Sequence, residues 1–105
     1  MEEMYAVKDN CLFVMMPKEM DHHKADTIRM KIDEYLLDHK AQNVIFDFEN
    51  TRFMDSSGIG IVLGRYNKMA VSGGQVIIRN ARGLVRQILE MSGIFSLMKH
   101  EEDKE

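Results

Sequence analysis

Two short and almost entirely apolar runs constrain the fold of this chain more than any other feature of its sequence. They occupy residues 43–48 (NVIFDF) and 75–79 (QVIIR). Buried strands of a parallel sheet, which helices cover on both faces, have this pattern, whereas half-exposed strands alternate apolar and polar residues. Residues 57–72 lie between the two runs and are predicted to form a helix that is closed by the pair Gly73-Gly74. The sequence therefore predicts a strand-helix-strand unit and an α/β fold.

The segments that precede this unit predict a hairpin and a first helix. Residues 4–8 and 11–16 have strand character, and Asp9-Asn10 between them has the chemistry of a tight hairpin turn. Asp21 is a favourable N-cap for a helix that runs to about Lys40. One face of this helix is expected to be buried, because its apolar residues recur every three or four positions. These residues are Ala25, Ile28, Ile32, Tyr35 and Leu36.

The C-terminal part of the chain predicts one more helix and a final extended segment. Residues 81–92 are predicted to form the helix, and Gly93 follows at the position where a left-handed cap belongs. Residues 95–98 are predicted to form a short strand or extended segment, and residues 101–105 a frayed acidic tail. A chain of 105 residues has the size of one domain, so we expect a single α/β domain with a mixed sheet and helices.

Composition and charge argue against several classes of function. The formal net charge is -3, and no basic patch of the kind that coats nucleic-acid phosphates is visible. No apolar stretch approaches the ~20 residues that a membrane span needs, and the acidic N-terminus lacks a signal-peptide core. Cys11 is the one cysteine and cannot form an internal disulfide. We expect a cytoplasmic protein that is monomeric when free, with no nucleic acid or membrane partner and no cofactor or metal.

Residues 53–60 (FMDSSGIG) carry the strongest functional signal. They leave a strand and open the helix that follows. The first N–H groups of a helix have no partner inside the helix, and the helix dipole also favours an anion there. A phosphate on Ser56, with about -1.5 to -2 charges, would therefore cost the isolated fold little while disturbing an acidic or apolar partner surface. A plain capping segment is the alternative, and the pattern by itself favours it, because Asp and Ser are common at helix starts for local reasons.

The helix that follows Ser56 has an unusual distribution of glycines. Its apolar stripe is expected to consist of Ile59, Val62, Leu63, Tyr66 and Ala70. Another face, at 100° per residue, contains Ser57, Gly60, Gly64 and Lys68. Interior helical glycines cost about 0.5–1 kcal/mol each relative to alanine, so a pair of them needs a physical reason. Either a neighbouring element of the same fold or a partner approaches closely, and the residues alone favour neither.

Three segments together resemble the STAS-domain anti-sigma factor antagonists, and most closely the stage II sporulation antagonists of Gram-positive spore formers. Residues 19–23 (EMDHH) are similar to the family pattern E-L-D-H-H. Residues 53–66 resemble F-M-D-S-S-G-(hydrophobic)-G followed by L-G-R-Y, and residues 91–95 (MSGIF) resemble M-S-G-L-F. The resemblance covers nearly the whole chain. Any one of these motifs is weak, but their order and spacing together are specific.

The resemblance implies a mechanism without catalysis by this chain. It implies that Ser56 is phosphorylated by an ATP-using anti-sigma factor, which is both kinase and partner, and that a PP2C-type phosphatase removes the phosphate. It also implies that the unphosphorylated chain binds that factor and frees a sigma factor. The residues expected around the phosphate are Asp55, Ser57 and Gly58. Those expected to contact the partner are Asp21, His22, His23, Ile59, Gly60 and Gly64.

Some features leave alternatives open. The family usually has glycine before the E-L-D segment, whereas Pro17 and Lys18 precede Glu19 here, so the turn into the first helix is expected to differ. The same mechanism could serve sporulation or a general stress pathway. A small ligand-binding STAS module, for a nucleotide or a lipid and without phosphorylation, is the main alternative function. A small hydrolase is a weaker one, because no nucleophile-elbow pattern surrounds Ser56 or Ser57.

Overall fold

A computed structural model of the chain describes residues 4–102, which form seven strands, three α-helices and one 3-10 turn. The chain enters through a hairpin and then passes through three helices that separate the remaining strands. The strands are β1 (Tyr5–Lys8), β2 (Cys11–Met15), β3 (Glu19–Met20), β4 (Asn43–Asp47), β5 (Phe53–Met54), β6 (Val76–Arg79) and β7 (Lys99–Glu101). The helices are α1 (His22–His39), α2 (Ser56–Ser72) and α3 (Gly83–Met91), with a 3-10 turn at Ile94–Ser96.

Five of these strands form one mixed sheet in the order β1-β2-β4-β6-β7. Only β1 and β2 pair antiparallel, and the other neighbours in this sheet are parallel. The turn between β1 and β2 places Asp9 at φ 52° and Asn10 at φ 68°, the left-handed conformations that a two-residue hairpin turn requires. The parallel pairing of β4 with β6 across α2 confirms the predicted strand-helix-strand unit and the α/β fold.

A second, two-stranded sheet pairs β3 with β5 in parallel, in a register of Glu19 with Phe53 and Met20 with Met54. The sequence does not predict this sheet, because two-residue strands are too short to show a periodic pattern. The carbonyl of Lys18 accepts hydrogen bonds from the backbone N–H groups of Arg52 at 2.8 Å and Phe53 at 3.2 Å. Lys18 is not in the left-handed region, so its backbone does not need the glycine that the family usually has near this turn.

Helix α1 confirms its predicted boundaries, whereas the predicted stripe of α2 is correct only in part: Val62 is buried, and Ile59, Leu63 and Tyr66 are half-buried against the core. Asp21 caps α1, and Lys40 closes it in the left-handed conformation at φ 56°. In α2, Ala70 is exposed, although the predicted stripe includes it. The residues buried in α2 are Gly58, Ile61, Val62 and Met69. The stripe differs because α2 packs against α1 as well as against β6, so the buried sector is set by two neighbours.

The C-terminal prediction was wrong in the position of the last strand. Residues 95–98 contain most of the 3-10 turn instead of a strand, and β7 begins at Lys99. Glu101 was expected in a frayed tail, but it pairs with Arg79 of β6, and its carbonyl accepts the Asn80 N–H at 2.8 Å. An edge strand of three charged or polar residues gives no hydrophobic signal, which explains the error. The rest of the predicted tail, residues 103–105, lies outside the described residues.

The core is a single cluster against one face of the central strands, and α1, α2 and α3 all contribute buried residues to it. Residues on the other face, such as Phe13 and Ile77, are only half-buried, which corrects the prediction that helices cover both faces. The largest fully buried side chains of the core include Phe46 and Phe48, at and just beyond the end of β4, and Leu89 of α3. Met91, at the end of α3, lies outside the core and is 87% exposed. Among residues 4–102, no helix has the length and apolar character needed to cross a membrane.

Candidate functional site

The small β3–β5 sheet brings the first turns of α1 and α2 together. Each strand of this sheet runs directly into a helix, and an aspartate stands at each junction: Asp21 before α1 and Asp55 before α2. The backbone N–H of Asp55 donates to the carbonyl of Met20 at 3.1 Å, which continues the ladder up to the start of α2. Two helix N-termini, with their partial positive charge, therefore lie at one edge of the domain.

The carboxylate of Asp55 joins the two helices. One oxygen, Oδ1, accepts the Ser57 backbone N–H at 2.8 Å and so caps α2. The other, Oδ2, accepts the backbone N–H of His22, the first residue of α1, at 3.2 Å. The ring Nδ1 of His22 lies 3.7 Å from the same oxygen. Asp55 thus satisfies an otherwise unpaired N–H group of each helix and holds the site together.

The ionised form of Asp55 is favoured by these hydrogen bonds. The Ser57 backbone N–H is the main cause that lowers the pKa of this carboxyl below its ordinary value, and the Ser57 hydroxyl and the His22 backbone N–H act in the same direction. Partial desolvation opposes them without reversing the shift. The site therefore contains a fixed negative charge beside Ser56 at neutral pH.

We expect Asp55→Ala to lower the melting temperature by about 5 °C at neutral pH, because a side-chain cap and a link between helices are both lost. A carboxyl with a lowered folded-state pKa stabilises the fold above its unfolded-state pKa, and this contribution disappears as the pH falls through the folded-state value. The difference between parent and variant should therefore be complete above about pH 5 and shrink below about pH 4. Thermal melts across this range measure it. A difference that stays constant in acid would show that the ionised carboxylate is not what stabilises the junction.

Ser56 is the first residue of α2, and its side chain is exposed. Within residues 4–102 its hydroxyl makes no hydrogen bond, whereas the adjacent Ser57 is half-buried and its N–H is held by Asp55. A group attached to the Ser56 hydroxyl would project into solvent next to the N-terminus of α2. The geometry therefore leaves Ser56 accessible to an enzyme without any rearrangement of the core.

The other residues predicted around Ser56 fall into two groups. Asp21 accepts the His23 N–H at 3.1 Å, and His22 and His23 are exposed with their rings 4.1 Å apart, so they lie at the same junction.

Gly58, by contrast, is buried, and a Cβ on it would come within 2.6 Å of Met54 Cγ. Packing against β5 is thus a sufficient reason for glycine at this position. Ile59 is half-buried and packs against the core.

Gly60 and Gly64 face an open groove between α1 and α2. A Cβ on Gly60 would lie 3.4 Å from a guanidinium nitrogen of Arg29, which is an ordinary contact, and a Cβ on Gly64 would have no atom within 4 Å. Packing within the described part of the fold therefore requires neither glycine, so close approach of a neighbouring element of the fold does not account for the pair. The groove has a volume of about 190 Å³ and is lined by Arg29, Ile32, Asp33, Gly60, Ile61, Gly64, Arg65 and Lys68.

Gly64→Ala is expected to stabilise the isolated chain by about 0.5–1 kcal/mol, because alanine restricts the unfolded chain and favours the helix. The open space around Gly64 leaves room for the added methyl group. Urea denaturation followed by circular dichroism measures the effect as a higher midpoint at an unchanged slope. A lower midpoint would mean that the groove is narrower in solution than in this structure.

Sequence reasoning missed Arg29 and Arg65 as residues of this surface. Arg65 pairs with Asp33 across the two helices, and its side chain is only 13% exposed. Arg29 reaches over Gly60 from α1. No local signal could have found these contacts, since Asp33 and Arg65 are 32 residues apart and meet only when α1 packs on α2.

Comparison with known proteins gives a consistent result. The STAS domain family matches residues 4–105. The anti-sigma F factor antagonist of Paenibacillus polymyxa is 37% identical over 87 residues, which make up 83% of this chain and 74% of that protein. Similarity therefore extends over most of the chain.

Two solved structures of one antagonist also resemble this chain. The unphosphorylated form of the anti-sigma factor antagonist SpoIIAA superimposes with a TM-score of 0.83 at 31% identity, covering 95% of this chain and 85% of that chain. The phosphorylated form of SpoIIAA, from Bacillus, has a TM-score of 0.75 at 30% identity and covers 95% of this chain and 88% of that chain. SpoIIAA therefore keeps a fold similar to this one both with and without its phosphate.

Proposed function

We propose that this chain, which belongs to the STAS-domain family of anti-sigma factor antagonists, binds an anti-sigma factor that is also an ATP-using serine kinase. Binding by the unmodified chain releases a sigma factor, and phosphorylation of Ser56 ends the interaction. A PP2C-type phosphatase restores the binding form. As members of this family are regulatory binding proteins, the chain itself is not an enzyme.

The position of Ser56 is the observation that most directly supports this proposal. Its hydroxyl is exposed at the first residue of α2, beside the carboxylate that joins the two helices. A kinase can reach this hydroxyl directly, whereas Ser57 is half-buried beside the Asp55 cap. The surrounding exposed residues, His22 and His23, supply polar contacts for a partner at the same edge.

The effect of the phosphate depends on a difference between the free and the bound state. In the free chain a phosphate on Ser56 projects into water, and the N-terminus of α2 compensates part of its charge. In a complex the same phosphate would lose its hydration beside the partner and beside Asp55, and burying an uncompensated charge costs far more. Phosphorylation therefore weakens the complex strongly while leaving the fold intact.

The direct test is the intact mass of the protein before and after incubation with ATP and the anti-sigma kinase of the same organism. One added phosphoryl group on the parent, and none on Ser56→Ala, is the expected result. Ser57→Ala serves as the matched control and should be phosphorylated like the parent. No addition to the parent by an active kinase would contradict the proposed switch, and thermal stabilisation by a nucleotide or lipid alone would then favour a ligand-binding module.

A further inference from the structure

We infer that the groove between α1 and α2 is a docking site for an acidic segment of the anti-sigma factor, and that Arg29 and Lys68 bind its carboxylates. This inference rests on the proposed function and adds a second contact region to the one around Ser56. The groove is defined by the eight lining residues named above, with Gly60 and Gly64 on one wall and Arg29 on the other.

The charge of the groove is opposite to that of the chain as a whole. The chain carries a formal net charge of -3, whereas the groove is lined by three cationic side chains and a single carboxylate, that of Asp33. Asp33 is already paired with Arg65. Arg29 has a carboxylate 3.2 Å away on Asp26, which is 93% exposed and so holds it weakly. Two cations are therefore available to a negatively charged partner.

Lys68 is the least compensated of these cations. Across residues 4–102 no carboxylate lies within ion-pair distance of its ammonium group. It lies three helical turns from Ser56, about 18 Å along the axis of α2. Arg29 lies beside Gly60, only one turn from Ser56. Arg29, from α1, therefore lies at the end of the groove nearest Ser56, and Lys68 lies further along α2.

The glycines give the groove the shape that a docked segment needs. With no Cβ at Gly60 and Gly64, the backbone of α2 is open on this side, and a partner side chain can approach it closely. Interior glycines cost helix stability, and no neighbour within the described fold requires them. Binding of a partner segment in the groove would explain why glycine occupies both positions.

An acidic occupant also accounts for the ability of one phosphate to end binding. A phosphate on Ser56 lies one turn from Arg29, so it would repel a carboxylate that Arg29 binds and would compete for the same cation. The binding of an apolar occupant would be weakened only by the cost of removing water from the phosphate. The polarity of the groove and the position of Ser56 therefore favour the same partner chemistry.

The test compares the affinity of the anti-sigma factor, in its nucleotide-bound form, for the parent chain and for Lys68→Glu. We expect an affinity about tenfold weaker for Lys68→Glu, and a similar loss for Arg29→Gln, because each loses a favourable charge contact. Lys31→Glu is the matched control, since Lys31 is exposed on α1 outside the groove and the substitution changes the net charge equally. It should bind like the parent. Circular dichroism checks that each variant is folded.

Salt dependence and kinase kinetics distinguish an acidic occupant of the groove from an apolar segment and from a free anion. Between about 0.1 M and about 1 M salt, where the screening length falls from about 10 Å to about 3 Å, the gap between parent and Lys68→Glu should shrink. Phosphorylation of Lys68→Glu should show a higher KM at an unchanged kcat.

A difference in affinity between parent and Lys68→Glu that does not depend on salt, or a loss of affinity of the same size in Lys31→Glu, would overturn the inference. So would thermal stabilisation of the free parent by ATP that Lys68→Glu abolishes, because the groove would then hold a free anion.

Failure of the inference is distinguishable from failure of the proposed function. If the parent is phosphorylated on Ser56 and binds the kinase, but Lys68→Glu and Arg29→Gln bind equally well, then only the docking groove is wrong. If the parent neither binds nor is phosphorylated, both are wrong.

Discussion

Ser56→Asp is expected to weaken binding of the anti-sigma factor by at least about 100-fold, while Ser56→Ala binds like the parent. The carboxylate reproduces part of the phosphate charge at the first residue of α2 and places it beside Asp55. In the complex these like charges would be close together and poorly hydrated, which is the costly arrangement. Titration calorimetry or surface-based binding with the nucleotide-bound kinase measures both variants.

The fold of Ser56→Asp should be unaffected, which is what makes the result interpretable. The Ser56 side chain is exposed, and a negative charge in the first turn of a helix is favourable. Ser72→Asp is a suitable control, because Ser72 is exposed at the opposite end of the same helix and gains the same charge. Retention of full affinity by a folded Ser56→Asp, or an equal loss in Ser72→Asp, would contradict the proposed switch.

Gly74→Ala is expected to destabilise the fold by about 3 kcal/mol. Gly74 lies in the turn between α2 and β6, and its N–H donates to the Met69 carbonyl at 2.9 Å. A Cβ at this position would overlap the backbone carbonyl oxygen of Gln42 and approach Met69 Sδ to 3.3 Å. Backbone cannot rotate away as a side chain can, so the turn or the start of β4 would have to move.

The contrast with Gly64→Ala makes the effect of Gly74→Ala specific to its position. The two substitutions are chemically identical, yet they should change the urea midpoint in opposite directions, because only Gly74 meets another part of the backbone. A Gly74→Ala protein as stable as the parent would show that the α2–β6 turn is more adaptable than its packing suggests. Binding of the anti-sigma factor by the folded fraction should be unchanged, since Gly74 lies outside both the Ser56 edge and the groove.

Several parts of this molecule could be predicted because their signals are local. Asp9-Asn10 specifies the hairpin turn through its tolerance of left-handed backbone. Asp21 specifies the start of α1, and Gly73 specifies the end of α2 at φ 82°. The segments that form β4 and β6 are rich in apolar residues because these strands are largely buried, so they can be recognised without knowing which strands they pair with. Each of these features is decided by residues within a few positions of one another.

The sequence by itself therefore determined the order of most elements and the location of Ser56 at a helix start. Only the tertiary structure decided what surrounds Ser56: the β3–β5 sheet, the bond from His22 to Asp55, and the groove with Arg29 and Lys68. It also decided that β7 lies at Lys99–Glu101. The physical reason is the same in each case. These contacts join residues that are far apart in the chain, so they form only when the helices and strands pack together. The sequence of a short segment therefore cannot predict them.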